Sequence, residues 1–152
     1  MKLPEERLRH FATDRFMQHL GMRLVDATLG AATVEMTVTD DMLNFHGTAN
    51  GGAVFALADV AFAVASNSHG VPAVGVQMTI SYMAPAGAGD RLVATAMEER
   101  RTRRLAWYRI EVRRDETLLA LAHGLVYRME ADLPKEVRPD AATKPREKGG
   151  SR

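Results

Sequence analysis

One uninterrupted apolar run constrains the fold of this chain more than any other segment. Residues 51–67 read GGAVFALADVAFAVASN, without proline and with Asp59 as the only ionisable side chain. An alanine-rich run of this kind favours a helix, and its 17 residues are at the lower limit for a membrane span. Because an acid lies at its centre and strand patterns flank it, we predict a buried core helix.

The residues on both sides of this run alternate between apolar and polar, as strands do. Before it, Val34, Met36 and Val38 alternate with polar neighbours, which predicts a hairpin within residues 22–39 that turns at Leu29 and Gly30. After it we predict four strands, at residues 73–83, 91–99, 105–113 and 118–129, and before the hairpin a short helix at about 13–20. This order predicts an α+β fold, a curved antiparallel sheet wrapped around one long central helix.

Composition narrows the possible partners and the compartment. The chain has no cysteine, which excludes disulfides and thiolate chemistry. No basic cluster recurs with aromatic residues, so we expect no nucleic-acid partner. Charged residues interrupt every apolar run of the first 20 residues, which predicts neither a signal peptide nor a membrane partner. A cytoplasmic protein is the expectation.

The C-terminal residues differ in composition from the rest of the chain. Residues 131–152 hold three prolines and few large apolar side chains, which predicts a disordered tail after one domain at residues 1–130. Six of the 20 basic and four of the 19 acidic residues lie in that tail, so the first 130 residues have a net charge of −1. The basic character of the chain therefore says nothing about its substrate.

Asp59 is the first candidate for chemistry, because none of its helical neighbours offers it a partner. Burial of an unpaired charge is unfavourable. Three explanations stay open from the residues alone: an ion pair with another segment, an exposed helix face, or a catalytic carboxylate.

The second candidate is Asn50-Gly51-Gly52, where the helix begins. Unpaired backbone N–H groups at a helix N-terminus stabilise an oxyanion, although a glycine pair is often only a turn. Gly51 and Asp59 are eight positions apart, or roughly 12 Å along a helix. One carbonyl carbon cannot contact both, so a shared reaction requires the two groups to come from different chains of a homodimer.

Several stretches together carry a family resemblance. They are NFHGTANGG at 44–52, ALAD at 56–59, ASNSHG at 65–70, YMAPA at 82–86 and Gly89-Asp90. In order and spacing they resemble the PaaI-type thioesterases of the hotdog-fold superfamily, over residues 16–129.

This resemblance implies an acyl-CoA thioesterase for a small or aromatic acyl group, with phenylacetyl-CoA or a hydroxylated derivative favoured. It implies that Gly51 donates an oxyanion-hole N–H, that Asn44 helps to hold the thioester carbonyl, and that Asp59 activates water or attacks directly. No metal and no cofactor are implied, since coenzyme A is part of the substrate. The implied assembly is a homodimer at least, with a dimer of dimers expected.

Further residues are candidates for substrate binding. Many relatives carry histidine where this chain has Asn50, and asparagine cannot deliver a proton near neutral pH. His46 is a candidate for substrate contact or for loop capping. The remaining candidates are Gly52 beside the oxyanion donor, Gln77 and Thr79, taken to share one strand face with Gly75 and to orient water, and Arg101 and Arg103.

The two arginines belong to a charged run at residues 98–104, which is either a solvated hairpin end or a contact for the phosphates of coenzyme A. Two other functions stay open. A hotdog dehydratase or hydratase acting on acyl thioesters would need a histidine that converges with the acid. A non-catalytic acyl-CoA-binding module would leave Asp59 without a chemical role.

Overall fold

The computed structural model describes residues 1–129, in which three α-helices and six strands alternate with short turns. The helices are α1 (Glu5–Phe11), α2 (Arg15–His19) and α3 (Gly51–Asn67), and a single 3-10 turn covers Asp40–Met42. The strands are β1 (Arg23–Thr28), β2 (Ala31–Thr37), β3 (Ala73–Tyr82), β4 (Arg91–Arg101), β5 (Leu105–Arg114) and β6 (Thr117–Arg128).

All six strands form one antiparallel sheet in the order β1-β2-β4-β5-β6-β3. The chain leaves β2 near one edge, passes through α3 and returns as β3 at the other edge. Helix α3 contacts strands across the whole sheet. The predicted α+β arrangement, one long helix against a curved antiparallel sheet, is confirmed.

The central helix packs closely against the sheet through an apolar face of mixed small and large side chains. Leu57, Ala61 and Ala65 on α3 are completely buried. The ring of Phe62 meets Tyr108 of β5 edge-on, with ring centroids 5.5 Å apart. A Cβ atom at Gly124 would lie 2.6 Å from the Phe62 ring, so β6 needs glycine where the helix approaches it.

The predicted limits of α3 and of the six strands agree with the structure to within about two residues, whereas the N-terminal region has two short helices where one was predicted. The helix at 51–67 has the predicted limits. Helix α2 is shorter than predicted, and Asp14 caps it by accepting a 2.8 Å hydrogen bond from the N–H of Met17. Helix α1 was not predicted, although Pro4 followed by two glutamates is a helix-start signal. The tail predicted at 131–152 lies outside the described residues.

Helix α3 is the predicted core helix, and it leaves Gly52, Asp59 and Ala63 exposed. One expectation about side-chain directions is wrong. Gln77 and Thr79 do not share a face with Gly75, because a β-bulge between Gly75 and Gln77 shifts the register of β3 against β6. An extra residue in one strand interrupts the alternation of its side chains.

The bulge decides which way the two polar residues point. Gln77 pairs with Leu125 and Thr79 pairs with His123, whereas Gly124, the residue between those two partners, faces the helix. Successive residues of a strand point to opposite faces. Gln77 and Thr79 therefore lie on the face of the sheet away from α3.

Within residues 1–129 no helix is long and apolar enough to cross a membrane.

Candidate active site

The N-terminus of α3 presents one free backbone donor. Asn50 is the N-cap, and its Oδ1 accepts a 2.7 Å hydrogen bond from the N–H of Gly52. The Asn50 carbonyl accepts from Ala53 at 2.9 Å and from Val54 at 3.3 Å. In the part of the chain that the structure describes, the N–H of Gly51 has no partner. It lies at the positive end of the helix dipole, where it can bind an oxyanion.

The chain that leads to this donor is held from both sides. The Asn50 N–H donates to the Met42 carbonyl at 2.7 Å, and the Ala49 N–H donates to the Ala86 carbonyl at 2.8 Å. These bonds connect the start of α3 to the 3-10 turn and to the segment after β3. The two residues that precede Gly51 are therefore held in place before any ligand binds.

Asn44 organises the loop that precedes this donor. Its Oδ1 accepts from the N–H groups of His46 at 2.9 Å and Thr48 at 3.2 Å, and its Nδ2 donates to Thr48 Oγ1 at 3.1 Å. An amide nitrogen has two hydrogens, so one remains for a substrate carbonyl. His46 is exposed, and its ring is tilted by 48° against the ring of Phe45, whose side chain is 93% exposed.

Asp59 lies on the exposed stripe of α3, and among residues 1–129 it forms no hydrogen bond or ion pair. Although the side chain reaches solvent, the surrounding protein desolvates it enough to raise the pKa of the carboxyl above its usual 3.8. The nearby negative charge of Asp14 raises this pKa further. Of the explanations that the sequence left open, an ion pair within the chain is excluded for the described residues, and the exposed helix face is what the single chain has.

One chain does not combine the two principal candidates. Gly51 and Asp59 belong to the same helix, whose rise separates them by roughly 12 Å. The donor and the carboxylate are both available, but they cannot contact the same carbonyl group from within one subunit.

The two arginines are also distant from Gly51. Arg101 ends β4 and donates to Glu98 Oε1 at 3.0 Å, and Arg103 lies in the adjoining turn. Ser68 and His69 at the end of α3 bond to Gly30 and Glu98 near this end of the sheet. The arginine hairpin and Gly51 therefore lie at opposite ends of α3.

Two cavities adjoin the candidate residues, and the sequence interpretation named neither. One, of about 460 Å³, lies between the N-terminal helices and the turns of α3 that follow Asp59; its lining includes Phe11, Asp14, Met17, Val60, Ala63 and Val64. The other, of about 350 Å³, lies at the start of α3, and Gly51, Val54, Tyr82 and Leu119 line it. No periodic signal marks these residues, because they come from segments far apart in the chain.

Comparison with known proteins relates the chain to thioesterases. The family model of the Thioesterase superfamily matches residues 46–121. This range includes Gly51, Asp59 and the residues of α3 that line the two cavities. The acyl-coenzyme A thioesterase PaaI of Escherichia coli is 38% identical over 127 residues, 83% of this chain and 91% of that protein.

Two solved structures share the architecture. A mutant of the phenylacetic acid degradation protein PaaI from Thermus thermophilus is 46% identical, with a TM-score of 0.75 over 76% of this chain and 100% of that one. A Streptococcus mutans protein solved with bound acetyl CoA is 27% identical, with a TM-score of 0.69 over 71% of this chain and 88% of that one.

An antiparallel sheet around one long helix is the hotdog fold, and the family match together with the named thioesterase relatives defines a hotdog-fold thioester hydrolase. The chain belongs to the Thioesterase superfamily, and within it to the PaaI type.

Proposed function

We propose that this chain hydrolyses acyl-CoA thioesters to a free acid and coenzyme A, at sites that two copies of the chain build together. The E. coli relative is named an acyl-coenzyme A thioesterase, and the S. mutans relative was solved with acetyl CoA. One observation carries the proposal. Helix α3 holds both a Gly51 N–H and an Asp59 carboxylate that have no partner among the described residues, and it keeps the two groups too far apart to act together within one chain.

The edge strand β3 supports a dimer that joins these groups. Its outer edge has no partner strand among the described residues, and Val74 and Val76 on it are 47% and 56% exposed. An unpaired edge of this kind is a template for another strand. Antiparallel pairing with a second β3 would continue the sheet and set the two α3 helices antiparallel, so that the Gly51 end of one approaches the Asp59 side of the other. We further propose that two such dimers form a homotetramer, and that the enzyme is cytoplasmic.

The residues then have separate roles in one reaction. The Gly51 N–H of one chain and the second Nδ2 hydrogen of Asn44 bind the thioester carbonyl oxygen and stabilise its developing negative charge. Asp59 of the other chain accepts a proton from water, and the oxygen of that water attacks the carbonyl carbon. The carbon–sulfur bond then breaks, and coenzyme A leaves as a thiolate that takes up a proton.

A direct attack by Asp59, through an anhydride that water later hydrolyses, gives the same products. Neither route needs an acid at Asn50, because a thiolate is a good leaving group.

The cavity beside the N-terminal helices is suited to the acyl group. It follows Asp59 along α3, and its wall combines the apolar side chains of Met17, Val60 and Val64 with the polar side chains of Asp14 and Asn67. A volume of about 460 Å³ lies in the range of small-ligand sites. We propose that it receives a small or aromatic acyl group, with phenylacetyl or a hydroxylated derivative preferred to a long saturated chain.

The geometry of the histidines favours hydrolysis over a dehydratase or hydratase reaction. Within residues 1–129, no histidine forms a hydrogen bond or ion pair with Asp59. His69 lies 2.8 Å from Glu98, and His46 lies on an exposed loop that precedes α3. Among the described residues of one subunit, the acid that a histidine approaches is Glu98 and not Asp59, so the candidate carboxylate lacks the convergent histidine that the alternative reaction requires.

A thiol-release assay tests the function and the acyl preference together. We expect kcat/KM to be highest for phenylacetyl-CoA, lower for hexanoyl-CoA and lowest for palmitoyl-CoA, because this ratio measures discrimination directly. Tight binding of all three without thiol release would instead indicate a binding module. Preference for palmitoyl-CoA would contradict the acyl assignment and leave the thioesterase assignment intact.

A further inference from the structure

The peptide group that joins Gly51 to Gly52 is held at both of its polar ends. Tyr82, the last residue of β3, donates its hydroxyl to the Gly51 carbonyl oxygen at 2.9 Å. At the other end of the same peptide group, Asn50 Oδ1 accepts from the Gly52 N–H at 2.7 Å. The free N–H of Gly51 belongs to the peptide group immediately before this one.

The Tyr82 ring also packs against Gly51 on the side where a Cβ atom would lie. A Cβ atom built at Gly51 would lie 3.2 Å from the Cζ atom and 3.3 Å from the hydroxyl oxygen of Tyr82. Both residues line the cavity of about 350 Å³ at the start of α3. The ring and the hydroxyl therefore restrict Gly51 by contact and by hydrogen bonding, beside the space that a substrate would enter.

Such a restraint matters more here than at an ordinary helix start. Glycine has the greatest backbone freedom of all residues, and two glycines in succession stand at the first turn of a helix, where ends fray. An oxyanion donor is effective when it already points at the developing charge and does not have to reorient during the reaction. Without an external restraint, this glycine pair would lose part of that advantage.

We propose that Tyr82 is a positioning residue, which fixes the Gly51-Gly52 peptide group so that the Gly51 N–H stays aimed at the thioester carbonyl. The inference rests on the proposed thioesterase function and adds a residue that contacts the glycine and not the reacting atoms. Burial raises the pKa of the Tyr82 hydroxyl above its usual value of 10, so it remains a neutral donor at the pH of the reaction.

The variant Tyr82→Phe tests this role, because it keeps the ring and removes only the hydroxyl. Loss of an entire oxyanion donor lowers kcat by about 10²–10³-fold, so loosening one should lower kcat by roughly tenfold and change KM by less than about twofold. The matched control is Tyr127→Phe, whose hydroxyl accepts a 2.5 Å hydrogen bond from Arg104 near the other end of the sheet. Its kcat should equal that of the wild type.

A second measurement separates positioning from a general loss of structure. In a ketone analogue of the acyl-CoA, with a methylene group in place of sulfur, the carbonyl stretch reports the hydrogen bond that it accepts. We expect this infrared band to move to higher frequency and to broaden in Tyr82→Phe, with the melting temperature nearly unchanged. Tyr82→Leu, which lacks the ring as well, should show at least as large a change in kcat.

Each outcome has a distinct meaning. Wild-type kcat and an unshifted carbonyl band in Tyr82→Phe would refute the positioning role and leave the thioesterase function standing. A wild-type enzyme that neither hydrolyses acyl-CoA nor binds the analogue would refute both. A fall in kcat in Tyr82→Phe with an unshifted band would also reject the role, since the donor would then be aimed as before.

Discussion

Tyr108 donates its hydroxyl to Oε2 of Glu98 at 2.6 Å, and this pair connects two strands at the end of the sheet where α3 terminates. His69, just after α3, lies 2.8 Å from the same oxygen, and Arg101 donates to the other. Burial by itself raises the pKa of Glu98, but these three hydrogen bonds outweigh it and hold the pKa below the usual 4.5. The ionised carboxylate therefore stabilises the folded chain.

We predict that Glu98→Gln lowers the free energy of unfolding by about 1–3 kcal/mol at pH 7, as expected when one partner of largely buried hydrogen bonds is replaced. A glutamate whose pKa is lowered by folding contributes stability above pH 4.5 and loses it as the pH falls through the folded-state pKa. The difference between variant and wild type should thus shrink below pH 4.5. Urea unfolding across this range measures it, with exposed Glu99→Gln as the control, and a difference that does not depend on pH would contradict the account.

Asp59→Asn should lower kcat by at least about 10²-fold, because the base or nucleophile is removed and the shape is kept. The same substitution should leave the melting temperature unchanged or raised at neutral pH. A carboxyl whose pKa is raised by desolvation is unfavourable to the fold when ionised, and the amide has no charge. Asp26→Asn on β1 is the control for both measurements. Wild-type turnover in Asp59→Asn would remove this residue from the mechanism.

The acidic limb of the pH profile of kcat/KM should report the raised pKa of Asp59. Because the reaction needs the ionised carboxylate, activity should fall as the pH drops through an apparent pKa above 3.8. Asp14→Asn should move this acidic limb to lower pH, since it removes a like charge. Asparagine also caps helices, so α2 should be retained. An acidic limb that stays in place, in a variant that remains folded, would exclude the coupling between the two acids.

Mixing two inactive variants tests the shared site. Gly51→Pro removes the N–H donor at the first helical position, where proline is tolerated, although its Cβ would press on Tyr82. Chains with Gly51→Pro and chains with Asp59→Asn should each be inactive. Random exchange should restore about a quarter of wild-type activity, because half of the dimers are mixed and each has one intact site. If mass spectrometry shows exchange and activity does not return, the two groups do not act across an interface.

Replacing Arg101 and Arg103 together by alanine should raise KM for acyl-CoA several-fold if these side chains bind its phosphates. An acyl-pantetheine substrate, which lacks the nucleotide, should show no change. Arg15→Ala, on the exposed surface of α2, is the control. Equal effects on both substrates would indicate that the arginines serve the fold and not the phosphates.

The elements that the sequence predicted well are those with a local cause. The limits of α3 follow from an apolar run that begins after a capping asparagine, and the β1–β2 hairpin follows from the alternation at Val34, Met36 and Val38. Gly51 and Asp59 were recognised as candidates in the same way. Their separation along one helix is also a local property, and it already required two chains for a shared reaction.

Features that depend on contacts between distant segments could not be predicted in this way. The bulge at β3 turns Gln77 and Thr79 away from α3, and the strand sequence contains no signal for the extra residue. The exposed direction of Asp59 depends on which face of α3 meets the sheet. That face is chosen by the summed packing of several strands.

The sequence by itself determined the α+β class, the central helix and the two groups proposed for catalysis, because propensity, capping and apolar periodicity act over a few neighbouring residues. Only the tertiary structure decided what surrounds those groups. Tyr82 reaches the Gly51 carbonyl across 31 positions of the chain, and Asp14 raises the pKa of Asp59 from a different helix. Such contacts exist only after the sheet has folded against α3, because they depend on distances in space and not along the chain.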